Sequence, residues 1–255
     1  MQWNRDGTFY AIHGRRQRVF CASLADVFDN AVDPAWRADL FRLIADTPNL
    51  DWLLLTKRIG NVPTMLRHIG VERLPGNVWL GATIVSQAEA DRDIPKLLAV
   101  PARVRFLSME PLIGPVDLTS SGAVWSDMNG NIVDAPSSGL RGVDWVIVGG
   151  ESGPHARPMH PDWARSLRDQ CAAAGVPFLF KQWGEWAPGE NCGGPPTRTE
   201  RVADWFGDEW SFSTMTPGEH DGLSYDDEPT VYRIGKKTAG RHLDGRTHDE
   251  FPEAR

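Results

Sequence analysis

Six short apolar runs, each ending in polar or charged residues, constrain this chain more than any other feature. They are Val19-Phe20-Cys21-Ala22-Ser23 before Asp26, Trp52-Leu53-Leu54-Leu55 before Thr56-Lys57-Arg58, and Val78-Trp79-Leu80-Gly81-Ala82 before Thr83. Val104-Arg105-Phe106-Leu107 before Ser108-Met109-Glu110, Trp145-Val146-Ile147-Val148 before Gly149-Gly150-Glu151-Ser152, and Phe178-Leu179-Phe180 before Lys181-Gln182 complete the set. Apolar runs without strict alternation suit strands covered on both faces, and helical patterns fill most of the gaps, as parallel crossovers require. In such α/β architectures the carboxyl ends of the strands converge on one rim, where ligands and catalytic groups gather.

The runs start at 19, 52, 78, 104, 145 and 178, at intervals of 33, 26, 26, 41 and 33. A βαβ unit needs about 30 residues, so only the 41-residue interval stands out. Its composition explains it: residues 119–142 carry Thr119-Ser120-Ser121-Gly122, Asn129-Gly130-Asn131 and Pro136-Ser137-Ser138-Gly139, the marks of an inserted loop or small hairpin. Asp33-Pro34 opens a helix with Trp36, Leu40, Phe41 and Ile44 at helical spacing. Ser86-Gln87-Ala88-Glu89 reads as a capping box, with Pro95 set to kink or end that helix. Pro161 to Ala174 reads as a third helix, closed by Gly175, with Trp163, Leu167, Cys171 and Ala174 along one face and Cys171 buried.

Composition removes several classes. No apolar stretch approaches the roughly 20 residues that span a bilayer, and the N-terminus lacks a secretory apolar segment, so a cytoplasmic protein without a membrane partner is expected. Cys21, Cys171 and Cys192 form no CxxC pattern, and the seven histidines form no HExxH or HxH pair, so reduced thiols and no metal are expected. The net charge of −7 argues against a generally basic nucleic-acid surface but leaves room for a local groove. Arg15-Arg16-Gln17-Arg18 and Lys236-Lys237 with Arg241 are the local basic clusters.

Seven segments in order carry a resemblance to a known family: Arg18-Val-Phe-Cys-Ala-Ser-Leu-Ala-Asp-Val-Phe28, Leu54-Leu-Thr-Lys-Arg58, Asn77-Val-Trp-Leu-Gly81, Arg105-Phe-Leu-Ser-Met-Glu-Pro-Leu112, Trp145-Val-Ile-Val-Gly-Gly-Glu-Ser-Gly153, Pro158-Met-His-Pro161 and Phe180-Lys-Gln-Trp-Gly184. They resemble the phage gene-product-thirty-seven/sixty-eight family, uncharacterised proteins that in turn resemble radical S-adenosylmethionine enzymes. The resemblance covers residues 18–186, and Gly235-Lys-Lys-Thr-Ala-Gly240 with Leu243-Asp-Gly245 is similar to the family's tail. It implies, for full-length members, a three-cysteine segment holding a [4Fe–4S] cluster whose open iron site takes S-adenosylmethionine. Met1 aligns inside the family's span, so that segment, roughly 80 residues on a typical-domain reckoning, is expected to be lacking here. No cofactor is then expected for this chain as written.

The fold expected is an incomplete (β/α) barrel of about six parallel strands over residues 1–186, TIM-barrel-like, with residues 187–255 as a loop-rich C-terminal extension packed on it. Asp204-Trp205-Phe206-Gly207-Asp208-Glu209-Trp210 suggests a hairpin there, and Thr230-Val-Tyr-Arg-Ile234 a last strand. At the rim Glu110, Glu151 and Lys181 are the candidate catalytic groups, two carboxylates that could divide acid and base roles beside a cation. Asp26, Lys57, Arg58, Thr83 and Gln182 are candidates for a substrate pocket, with Lys57 and Arg58 suited to an anionic group. Gly149, Gly150, Glu151 and Ser152 read either as a cofactor loop, similar to the Gly-Gly-Glu element of radical enzymes, or as a tight turn that needs glycine. Two functions compete: a fragment or shortened form of a radical S-adenosylmethionine-like enzyme, or a non-catalytic binder of nucleic acid or of a phage or host protein.

Overall fold

The computed structural model describes residues 4, 7–21, 25–119, 125–126, 132–133, 140–192, 199–217 and 228–252. After α1 (Thr8–His13), β1 (Gln17–Cys21), β2 (Leu50–Thr56), β3 (Val78–Thr83) and β4 (Val104–Met109) follow in order. A two-residue antiparallel pair, β5 (Trp125–Ser126) and β6 (Ile132–Val133), stands in the expected insertion, the rest of whose interior lies outside the described residues. Then come β7 (Trp145–Gly149) and β8 (Phe178–Gln182). The six long strands pair in parallel in the order β1-β2-β3-β4-β7-β8 and curl into a half-barrel.

Four helices return the chain from strand end to strand start: α2 (Pro34–Asp46), α3 (Val62–His68), α4 (Gln87–Leu98) and α5 (Pro161–Ala174). Each sequence-read start is made by the residue type that suits it. Asp33 accepts from the Ala35 amide, Ser86 from the Glu89 amide, and the ring of His160 from the Asp162 amide. The helix through Pro95 runs on to Leu98, because a proline in the last turn removes only one amide donor. On α2 the spacing misjudged one position: Trp36 is 70% exposed, and Arg37 turns inward. Its guanidinium donates to the carbonyls of Val27, Asp29 and Val32, which offsets the cost of burying the charge.

The unbroken apolar runs reflect a sheet with two dry faces. On the helix side Leu54, Leu80, Leu107, Val146 and Phe178 pack with Phe41, Ile44, Ile94, Leu97 and Leu167. On the concave side Leu53, Trp79, Val104, Phe106, Trp145 and Ile147 form a separate cluster that fills the hollow of the half-barrel. Trp79 and Trp145 meet edge to face at 6.3 Å, and the Phe106 ring lies against Gly81, where a Cβ would come within 2.3 Å of it.

The C-terminal part builds a second sheet from β9 (Ala187–Pro188), β10 (Glu200–Phe206), β11 (Glu209–Met215) and β12 (Thr230–Tyr232), ordered β11-β10-β12-β9, followed by α6 (Lys236–Ala239). Gly207 and Asp208 both have positive φ, 58° and 65°, as a two-residue hairpin turn requires. Past α6 the chain comes back to the half-barrel. His248 and Glu250 exchange backbone hydrogen bonds with Phe180 and Phe178, so residues 248–250 lie antiparallel along the outer edge of β8 and cover it. The Phe251 ring then closes the hollow from below, 4.8 Å from Trp145 and 4.2 Å from the Arg18 guanidinium of β1.

Candidate functional site

Side chains of a strand alternate between its faces, so the rim residues sort themselves. Trp79, Phe106 and Ile147 point into the hollow; two residues on, Thr83 (beyond Gly81), Ser108 and Gly149 share that side, and Glu110 follows Ser108. Thr83 and Ser108 are register partners, both buried. The Glu110 carboxylate crosses Gly149 to meet Lys181, with Oε2 and Nζ 3.0 Å apart. A Cβ at Gly149 would lie 2.5 Å from Glu110 Oε1, so the glycine is what seats that carboxylate. Glu110 is 16% exposed and Lys181 53%, an ion pair at a mouth rather than in a core. Thr83 Oγ1 is buried without a hydrogen-bond partner among the described residues. An orphan hydroxyl with no accessible surface costs stability, so Thr83 is a strained point at the end of the polar row.

A second set lies on the helix side of the rim. Asp26 accepts from the Thr56 hydroxyl at 2.8 Å, from the amides of Phe28 and Lys57, and from the Arg58 guanidinium at 3.2 Å. Arg58 also pairs with Asp29 at 2.8 Å. Asp26 and Arg58 thus clasp the loops after β1 and β2. The Lys57 ammonium is exposed, and only its backbone amide joins the clasp.

A third set surrounds the glycines. Glu151 is gripped by Arg157 through Nε at 2.8 Å, NH2 at 3.1 Å and the backbone amide at 2.9 Å, and these bonds hold its carboxyl below the usual range. Gly150 abuts the Trp183 carbonyl and Gly184 the Glu151 carbonyl, with hypothetical Cβ distances of 1.9 and 2.0 Å. Two backbone turns meet there face to face. Gln182 reaches the Ser152 hydroxyl at 3.2 Å. Of the sequence-read candidates, the structure therefore joins Glu110, Lys181, Gly149 and Thr83 into one inner row. Asp26 and Arg58 stand in the clasp, and Glu151, Ser152 and Gln182 around the turn. Sequence reading missed Ser108 and Arg157: the first shares Thr83's position at a strand end, a signal available from register alone, whereas nothing local marks the second.

The cysteines do not gather. Cys21 is half-buried in β1, Cys171 lies on the buried face of α5 with burial pushing its thiol up to about 12, and Cys192 sits beyond β9 with burial pushing its thiol up to about 11. They do not fit the ligand set of an iron–sulfur cluster. Among the described residues no group of three or more His, Cys, Asp or Glu is placed to hold a metal, and no helix is long and apolar enough to cross a membrane.

A family model described as Protein of unknown function (DUF5131) matches residues 1–252. No curated protein and no solved structure matches the chain.

Proposed function

Because the chain belongs to the DUF5131 family, which is defined without a function, we propose its role from the rim: a small-molecule site for a ligand with an α-amino-acid head group. S-adenosylmethionine, which the resemblance to radical enzymes implies, is the first candidate. The observation that carries this reading is the Glu110–Lys181 pair at the mouth of the inner row, a carboxylate and a half-exposed ammonium 3.0 Å apart. A zwitterionic head can insert between the two charges, its carboxylate taking Lys181 and its ammonium taking Glu110. Each ion of the protein then exchanges one partner for another, so little desolvation is added.

In the enzyme reading Glu110 and Lys181 also hold and move protons at the bound ligand, Glu151 with Arg157 fixes the neighbouring turn, and Lys57 offers a mobile cation at the mouth. Iron–sulfur chemistry belongs to the resemblance alone, since this chain's cysteines do not fit it, and no step is derived through it. Its separated thiols suit a reducing compartment such as the cytoplasm. The resemblance to phage gene products keeps a phage or host protein as the competing partner in a binding-only role.

Titration calorimetry of the full chain with S-adenosylmethionine tests the proposal. Lys181→Ala and Glu110→Gln are each expected to weaken binding at least tenfold. Absence of heat at millimolar ligand, or variants that bind like the parent, would refute it. A binding-only protein retains the affinity but leaves the ligand unconsumed.

A further inference from the structure

The half-barrel is open on one side, and the walls of that opening are apolar. β1 and β8 stand at the two ends of the six-stranded order, and among the described residues β1 pairs only with β2. Phe20 of β1 faces the hollow, its ring 6.2 Å from that of Phe106, yet it is 44% exposed. A hollow-facing ring on an edge strand meets solvent through the gap between the two edges. On the far side of that gap Leu179 of β8 packs half-buried against the hollow cluster, as does Leu55 of β2 beside β1.

Register ties this opening to the rim. Leu179 precedes Lys181 by two residues on one face of β8, a step of about 7 Å. Leu179 is the register partner of Ile147, and Trp145, two residues before Ile147, pairs with Phe106, the ring that Phe20 meets. Phe20 thus stands one more step of about 7 Å down from the Glu110–Lys181 pair.

The charges bordering the opening are already engaged. At its lower end the Arg18 guanidinium lies over the rings of Trp79 at 5.0 Å and Phe251 at 4.2 Å, and Asp249, opposite Leu179, binds Arg241. Between these groups and the rim pair the walls offer hydrocarbon and an aromatic face. The group that gains from entering is therefore uncharged, and a flat ring matches Phe20 best.

We infer that the opening receives the body of the ligand whose head is held by Glu110 and Lys181: an uncharged aromatic ring against Phe20, joined to the head past Leu179. The inference rests on the reading of the rim given above and adds Phe20 as the residue that sets specificity. One small molecule carrying both groups spans the charged mouth and the apolar opening together, whereas a partner chain docked on Phe20 would leave the rim pair unused.

Titration calorimetry of the full chain with L-methionine and with S-adenosylhomocysteine is the test, because the two share the head group and an uncharged thioether and differ by the adenosyl group. S-adenosylhomocysteine is expected to bind roughly tenfold more tightly, Phe20→Ala to remove that advantage, and Phe20→Tyr to restore it. Affinity for L-methionine is expected to stay the same in both variants, which also shows that they are folded. Equal affinity of the parent for the two ligands, or a Phe20→Ala chain that binds S-adenosylhomocysteine like the parent, would overturn the inference and leave the head-group reading standing. Binding of neither ligand would overturn both. A dimeric parent that becomes monomeric on Phe20→Ala, read by light scattering, would assign the opening to a second copy of the chain instead.

Discussion

Glycine and threonine decide most at the scale of single residues. Gly150 and Gly81 carry the same lack of a side chain for different reasons: a Cβ at Gly150 meets a backbone carbonyl, and one at Gly81 meets the Phe106 ring. A ring can shift by rotamer adjustment, while a turn paired with another turn cannot. Gly150→Ala is accordingly expected to cost about 3 kcal/mol or more, and Gly81→Ala about 1–3 kcal/mol. Urea unfolding of both variants checks the order, and a Gly150→Ala protein as stable as Gly81→Ala would contradict it. Thr83 runs the other way. Replacing a buried, unpartnered hydroxyl with an isosteric methyl removes a desolvation cost, so Thr83→Val is expected to raise stability by about 1 kcal/mol. Loss of stability instead would mean that the hydroxyl has a partner.

Elements depend on how their ends are satisfied, and two of those ends titrate. His160 caps α5 through a ring nitrogen that must be unprotonated to accept from Asp162, and it is packed against Trp163 and Trp205. His248 sits in the strand-like segment along β8, with Nε2 buried and unpartnered among the described residues. Burial, the largest cause in both, pulls the two imidazoles below their ordinary value of 6.5. The folded state thus prefers them neutral. Their contribution is fully present above the unfolded value and is lost as pH falls through about 6.5, at up to about 1.4 kcal/mol per pH unit for each proton taken up. Unfolding free energy measured from pH 7.5 to 5 is expected to fall, and the double variant His160→Asn with His248→Gln to flatten the curve in that window. A parent protein with constant stability from 7.5 to 5 would show the reasoning to be wrong.

The whole molecule solves the problem of an open barrel with material from its far end. A six-stranded curl has two free edges and a hollow; residues 248–250 cover one edge, aromatic side chains fill the hollow, and Phe251 closes it below. Removing residues 248–255 deletes two backbone hydrogen bonds to β8, the Glu250 side-chain bond to the Phe178 amide, and the bond from Trp145 Nε1 to the Glu250 carbonyl. The expected result is a loss of about 3–4 kcal/mol, at roughly 1 kcal/mol per bond, and self-association through the bared edge. Light scattering after size exclusion, together with unfolding curves, reads both effects. A monomeric truncated protein of unchanged stability would exclude this role.

The parallel strands, the helix caps at Asp33 and Ser86, the helix start at Pro161, the hairpin around Gly207 and the polar rim were all legible in the sequence. Each depends on neighbours within a few positions, where periodicity and backbone preference act directly. Contacts that depend on how loops and elements fold back on one another were not legible. Nothing near Glu151 says that Arg157 will bind its carboxylate, nothing near Trp36 says that Arg37 will turn inward to three carbonyls, and nothing near β8 says that residues 248–250 will pair with it. The sequence by itself determined which residues end strands and point to one rim. Only the tertiary structure decided which of those charges are occupied and which remain free, because that depends on the distance between side chains that the chain brings together from 71 positions apart, as with Glu110 and Lys181.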